Sequence, residues 1–90
     1  MNILVIGSGA REHTIAWKLG LSPRVDELLI APGNAGTASL GTNLPIDASD
    51  IHGLADAAHK NDVDLTVVGP EGPLAAGIVD LFREEGLAVF

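Results

Sequence analysis

The 90-residue sequence contains no cysteine and no tyrosine, and only one tryptophan and two phenylalanines. Without thiols it forms neither disulfides nor thiolate metal sites, and a reducing cytoplasm suits it. Cations are scarce: Lys and Arg number 5 against 12 Asp and Glu, for a formal net charge of −7. A nucleic acid would approach against a repulsive field, with no cluster of basic residues to neutralise its phosphates, so nucleic acid is excluded as a partner. No apolar stretch approaches the ~20 residues of a membrane span, and the N-terminus lacks the basic segment, apolar run and cleavage site of a secretory signal. No membrane partner is expected, and the expected location is cytoplasmic. The three histidines, His13, His52 and His59, show no paired ligand spacing, and no metal site is expected within these residues.

What is present is apolar and glycine-rich, with 47% hydrophobic residues and 11 glycines. This length supports one domain with one core, spanning residues 1–90. Ile3 to Ile6 is a continuous β-rich run bounded by glycine, the pattern of a parallel strand covered on both faces. From Arg11 to Leu19 the period becomes helical, with Ile15, Ala16 and Leu19 on one face and Gly20 placed to end it. A second strand is expected at Glu27 to Ala31, a short third at Asn43 to Ile46, and a fourth at Asp64 to Val68. Between the last two, Ser49 or Asp50 caps a helix carrying Ile51, Leu54, Ala55 and Ala58. Pro73 suits the first turn of a helix with Leu74, Ile78, Leu81 and Phe82 on its apolar face, ended by Gly86 before a fifth strand at Leu87 to Phe90. Strands alternating with helices predict an α/β fold: a doubly wound parallel sheet of about five strands in the order 3-2-1-4-5, with helices on both faces. No internal repeat, low-complexity tract or interdomain linker interrupts it.

In such a sheet the loops beyond the carboxyl ends of the strands form the ligand crevice. Gly7 to His13, Pro32 to Thr37, Asp47 to Asp50 and Gly69 to Leu74 all fall on that edge. The first of these, VIGSGAREHT, begins like the dinucleotide motif G-x-G-x-x-G, but Glu12 occupies the place of the third glycine. The acid that would hold the ribose hydroxyls about 20 residues on is also missing, since the second strand ends in Ile30, Ala31 and Pro32. The turn remains suited to phosphate, because the amides near Gly9, Ala10 and Arg11 open a helix and Arg11 offers a fork of donors. Glu12 in the first turn is favoured by the helix dipole and accepts hydrogen bonds from ribose hydroxyls or an amine. In the second loop Gly33 and Gly36 are flexible points, Asn34 both donates and accepts, and Thr37 brings a hydroxyl. Glu71, set between prolines and glycines at a strand's end, faces a ligand in the same crevice.

The segments GSGAREH, APGNAGTA and TVVGPEGPL, in this order and at these strand ends, resemble the N-terminal domain of the glycinamide ribonucleotide synthetases, the phosphoribosylamine–glycine ligases. The resemblance covers essentially all 90 residues. It implies a Rossmann-like domain preceding an ATP-grasp region, so that residues 1–90 are a single N-terminal substrate-binding domain, without the ATP-grasp and C-terminal regions of the same polypeptide. The implied reaction joins glycine to 5-phosphoribosylamine as an amide, with ATP converted to ADP and phosphate, in purine synthesis. ATP and Mg²⁺ (or Mn²⁺) are implied to bind mainly outside this chain and not to the fragment, which by itself is expected to be inactive.

The partners the resemblance implies are the small-molecule substrate 5-phosphoribosylamine and the missing regions. It places Gly9, Ala10 and Arg11 on the phosphate side, and Glu12, Asn34 and Glu71 at ribose or amine contacts. His13, Gly33, Gly36, Thr37, Gly69 and Pro70 complete the substrate-binding set, and no residue is assigned as the chemical catalyst. Where this chain has Ala10 the family often has glycine, and a positive φ there would strain an alanine. Three other readings fit parts of the sequence: the N-terminal domain of a different ATP-grasp ligase, a dinucleotide-binding oxidoreductase domain, and a free-standing module that binds a phosphorylated ligand.

Overall fold

The computed structural model describes residues 1–69 and 73–90, with residues 73–76 described by backbone alone. Strand β1 (Asn2–Gly7) lies between β2 (Glu27–Pro32) and β4 (Leu65–Val68), and the short β3 (Thr42–Asn43) lies outside β2. All pairings are parallel, with Asn2 opposite Glu27, Ile3 opposite Leu65 and Ile30 opposite Asn43. The connections are α1 (Ala10–Gly20) after β1, a single 3-10 turn (Thr37–Ser39) after β2, and α2 (Ile51–Lys60) after β3; α3 (Pro73–Glu84) follows β4.

The apolar run of β1 explains why helices cover both faces. Its side chains alternate, so Leu4 and Ile6 join Leu29, Leu54, Ala58, Ile78 and Phe82 in one buried cluster against α2 and α3. Ile3 and Val5 join Ala16, Leu28 and Ile30 in a second cluster against α1. Each fully buried Leu or Ile contributes roughly 1.5–3 kcal/mol of transfer free energy, and neither face is stable uncovered. Helix α2 starts where expected: Asp50, not Ser49, is its N-cap, its Oδ1 accepting from Gly53 N at 3.0 Å. On α3, Ile78 and Phe82 are buried, while the side chain of Leu74 lies outside the described residues. Gly86 then turns the chain at φ +74°.

Two strand expectations are corrected. The third strand is Thr42–Asn43 rather than Asn43 to Ile46, because Pro45 has no N–H to continue a ladder. There the chain tightens, with Ile46 N donating to Leu44 O at 2.8 Å, and Leu44 and Ile46 leave the sheet to pack against the α2 and α3 cluster. Among the described residues the sheet has four strands rather than about five. Residues 87–90 do run beside β4, with Phe90 N donating to Thr66 O at 2.8 Å and Thr66 N to Ala88 O at 3.0 Å. They form one isolated parallel bridge, Thr66 to Val89, short of a ladder. The spatial order is nevertheless the expected one. From β1 the sheet grows outward through β2 and β3 on one side and through β4 on the other, so the crevice at this switch point is walled by the loops after β1 and β4.

Candidate functional site

The first wall is the glycine turn after β1. Gly7 has φ +140°, and its carbonyl accepts from Gly33 N at 3.0 Å, while Ile6 O accepts from Gly69 N at 2.9 Å. Backbone hydrogen bonds therefore tie the ends of β1, β2 and β4 together before any side chain is considered. Helix α1 opens on Gly9 without a side-chain cap, and its first intrahelical bond is His13 N to Gly9 O at 3.1 Å. The amides of Ala10 and Glu12 precede that bond and have no intrahelical acceptor. Ser8, Gly9, Ala10 and Arg11 are exposed, so the positive end of the helix dipole opens to solvent, where an anion is favoured. Ala10 is unstrained, because Asp62 is the only non-glycine with positive φ among the described residues.

Glu12 points inward. Only 8% of it is exposed, and its side chain lies against three glycines. A methyl group added to Gly69 would stand 2.5 Å from Glu12 Cγ and Oε1, and one on Gly9 would stand 3.1 Å from Oε2. A methyl on Gly7 would meet Glu12 Cγ still more closely. Glu12 thus fills the floor of the crevice between the loops after β1 and β4. The glycines are there to admit it, which explains why a glutamate stands where a dinucleotide motif has its close-packing glycine.

The loop from Pro32 to Thr37, after β2, flanks the glycine turn on the side away from β4. Gly33 has φ +73°, and a side chain there would collide with Asn43 Oδ1 and the Thr37 hydroxyl. Asn34 and Thr37 close the loop reciprocally: Asn34 N donates to Thr37 Oγ1 at 2.8 Å, and Thr37 N donates to Asn34 Oδ1 at 3.0 Å. The Asn34 amide Nδ2 donates to Ser8 O at 2.8 Å, joining this loop to the glycine turn. The His13 ring completes the join, since a methyl on Gly36 would lie 3.1 Å from its Cδ2 and Nε2.

The structure therefore brings Gly9, Ala10, Arg11, Glu12, His13, Gly33, Asn34, Gly36, Thr37 and Gly69 to one edge. Pro70 and Glu71, expected in the same set, lie outside the described residues. Sequence reasoning missed Asn43, which reaches this loop from β3; a polar residue in an expected strand was the one available signal. An open groove of about 440 Å³ lies elsewhere, beside α2, lined by Leu44, Pro45, Ile46, Gly53, Asp56, Ala57, Lys60 and Asn61. It shares no residue with the glycine loops and has few convergent polar groups. Among the described residues no three His, Asp or Glu side chains cluster as a metal requires. No helix among them is long and apolar enough to cross a membrane.

Asp47, in the connection to α2, accepts from the Ser49 hydroxyl at 2.6 Å and from Ser49 N at 2.8 Å. These two bonds, the hydroxyl's first, hold its carboxyl below the ordinary aspartate value.

Comparison with known proteins bears directly on this edge. Residues 1–90 match the family described as phosphoribosylglycinamide synthetase, N domain. The chain is 58% identical over 92 aligned positions to a phosphoribosylamine–glycine ligase of Pseudomonas aeruginosa and 54% identical to one of Yersinia pestis. Each alignment takes in all of this chain but only 21% and 22% of the relative, so the chain spans about a fifth of their length. A solved phosphoribosylamine–glycine ligase from Thermotoga maritima superposes with a TM-score of 0.57 at 30% identity, covering 78% of this chain and 16% of that one. Saccharopine dehydrogenase (L-Glu forming) from Saccharomyces cerevisiae superposes with a TM-score of 0.77 over 98% of this chain and 20% of its own, but at 17% identity this is a likeness of fold alone.

Proposed function

The chain belongs to the phosphoribosylglycinamide synthetase N-domain family, and from that premise we propose that it forms one wall of the 5-phosphoribosylamine site of a phosphoribosylamine–glycine ligase. The observation that carries this reading is the 2.8 Å bond from Asn34 Nδ2 to Ser8 O, which joins two glycine loops beside the open amino end of α1. A phosphorylated sugar suits that junction, because its phosphate takes the amides of Ala10 and Arg11 and its ribose then lies along the Pro32 to Thr37 loop.

In the proposed reaction ATP with Mg²⁺ supplies the phosphoryl group that activates the glycine carboxylate. The amine nitrogen of phosphoribosylamine attacks the activated carbonyl carbon; the C–N bond forms as the C–O bond to phosphate breaks, and the nitrogen loses a proton. Both cofactors are assigned mainly to sequence outside these 90 residues, on the family's likeness alone. The chain's own part is positioning, which contributes by removing orientational freedom from the amine.

Gly9, Ala10 and Arg11 hold the phosphate, with the exposed Arg11 guanidinium adding charge. Asn34 and Thr37 order the ribose side, Gly33 and Gly36 allow close approach, and His13 stands at the rim. Glu12 shapes the floor from beneath, with Gly69 above it. Pro70 and Glu71 are assigned to the same site from their sequence position after β4. The proposed location is the cytoplasm, in keeping with a chain that has no cysteine.

The test is Arg11→Ala in the ligase polypeptide that carries these residues. KM for phosphoribosylamine is expected to rise about tenfold or more, with KM for ATP within twofold of wild type. Equal increases in both would remove Arg11 from the site.

A further inference from the structure

We propose that Asn43 is a positioning residue of this site: from the edge strand β3 it fixes the Pro32 to Thr37 loop and, through Asn34, the glycine turn that takes the phosphate. The inference deepens the phosphoribosylamine reading and rests on it.

Asn43 is held by the sheet itself. It stands opposite Ile30 in the parallel register of β2 and β3, and Leu44 N donates to Ile30 O at 2.7 Å immediately after it. Its side chain reaches back under the loop. Asn43 Nδ2 donates to Asn34 O at 2.8 Å, and Asn43 Oδ1 accepts from the Thr37 hydroxyl at 2.8 Å.

The orientation of the amide is determined by chemistry. The Asn34 carbonyl only accepts, so the Asn43 NH₂ must face it, which leaves Oδ1 toward Thr37. The Thr37 hydroxyl accepts from Asn34 N at 2.8 Å and has one proton to give, within reach of both Asn43 Oδ1 at 2.8 Å and Asn34 O at 3.0 Å; the shorter contact, to Asn43 Oδ1, takes it, because otherwise two acceptor oxygens would face each other. Thr37 is fully buried, so no water replaces a lost partner without a rearrangement.

The network leads outward. Asn34 N and Oδ1 are engaged by Thr37, Asn34 O by Asn43 Nδ2 at 2.8 Å and by Ala38 N at 3.2 Å, and Asn34 Nδ2 by Ser8 O. Both main-chain and side-chain polar groups of Asn34 are thereby set, and the last contact bears on the turn that opens α1. Asn43 also occupies the space that a side chain on Gly33 would need. It touches no ligand in this account. Its effect is on where the sugar-binding loop and the phosphate-binding turn sit relative to each other, and a displacement of about 1 Å in such a pair is costly to reaction geometry.

The experiment is steady-state kinetics of the complete ligase polypeptide carrying Asn43→Ala or Asn43→Asp, with urea midpoints measured in parallel. Asn43→Asp keeps the volume and the acceptor toward Thr37 but sets an anionic oxygen against the Asn34 carbonyl, so it tests the same contact should the alanine variant fail to fold. Either variant is expected to raise KM for phosphoribosylamine about tenfold while KM for ATP and for glycine stay within twofold. Unchanged KM values, or a common rise in all three, overturn the inference. A wild-type polypeptide that forms no amide product overturns the ligase reading itself, and this inference with it.

Discussion

Placing one methyl group on Gly69 tests whether Glu12 forms the floor of the crevice. In Gly69→Ala the new Cβ lies 2.5 Å from Glu12 Cγ and Oε1 and 2.8 Å from Cδ, inside the separation that carbon and oxygen tolerate. Glu12 cannot simply lean away, because on its other side it is already packed against Gly7 and Gly9. Overpacking of this kind costs roughly 1–3 kcal/mol. With m about 1.5 kcal/mol per molar, a 2 kcal/mol loss lowers the urea midpoint by about 1 M, a shift that a domain stable by several kcal/mol survives. The same substitution combined with Glu12→Ala should cost less than the sum of the two single changes, because the colliding side chain is gone; a coupling of about 1 kcal/mol or more is expected. Urea titrations of the four proteins followed by circular dichroism measure it. A Gly69→Ala variant within 0.5 kcal/mol of wild type, or a cycle that adds without coupling, refutes the reasoning.

Two other perturbations follow from local chemistry. Thr66 is fully buried in β4, and its Oγ1 has no hydrogen-bond partner among the described residues, so Thr66→Val, which keeps the shape and removes the hydroxyl, should stabilise by about 1 kcal/mol and raise Tm by about 4–8 °C; a loss of stability on thermal melting would show the hydroxyl to be satisfied. Ser49→Ala should let the Asp47 carboxyl rise toward its ordinary value of 3.8, read by carbon-detected NMR titration. Because the folded pKa is depressed, the wild-type contribution of this turn is present above 3.8 and is lost as pH falls through the lower folded value. An unshifted titration in the variant would dismiss the Ser49 hydroxyl bond as its main cause, the bond from Ser49 N being retained.

Much of the fold is legible in short segments. The run Ile3 to Ile6 reads as a doubly covered strand and is one; Ser49 or Asp50 reads as a cap, and Asp50 is the one that accepts from Gly53 N. The alternation of elements and the handedness of crossovers limit the strand order to a few doubly wound choices, and the observed one is the order expected among them. The third strand shows where such reading fails, since the β-rich pattern of Asn43 to Ile46 conflicts with the missing N–H of Pro45 and the ladder stops at Asn43. The family, too, is carried by contiguous motifs, and the match over residues 1–90 agrees with that reading.

The destinations of polar side chains depend on which loops the sheet brings together. Glu12 is four residues from Ser8 in sequence, yet it is buried against Gly69, which only the pairing of β1 with β4 brings near. Asn34 meets Ser8 across 26 residues, and Asn43 meets Asn34 through the pairing of β3 with β2. Strand and helix propensity, caps and turns are properties of neighbouring residues, so the sequence by itself determined the elements, their order and the glycine loops that end them. Whether such a loop leaves room for a buried carboxylate depends on distant backbone, and the tertiary structure alone decided that Glu12 packs against Gly69.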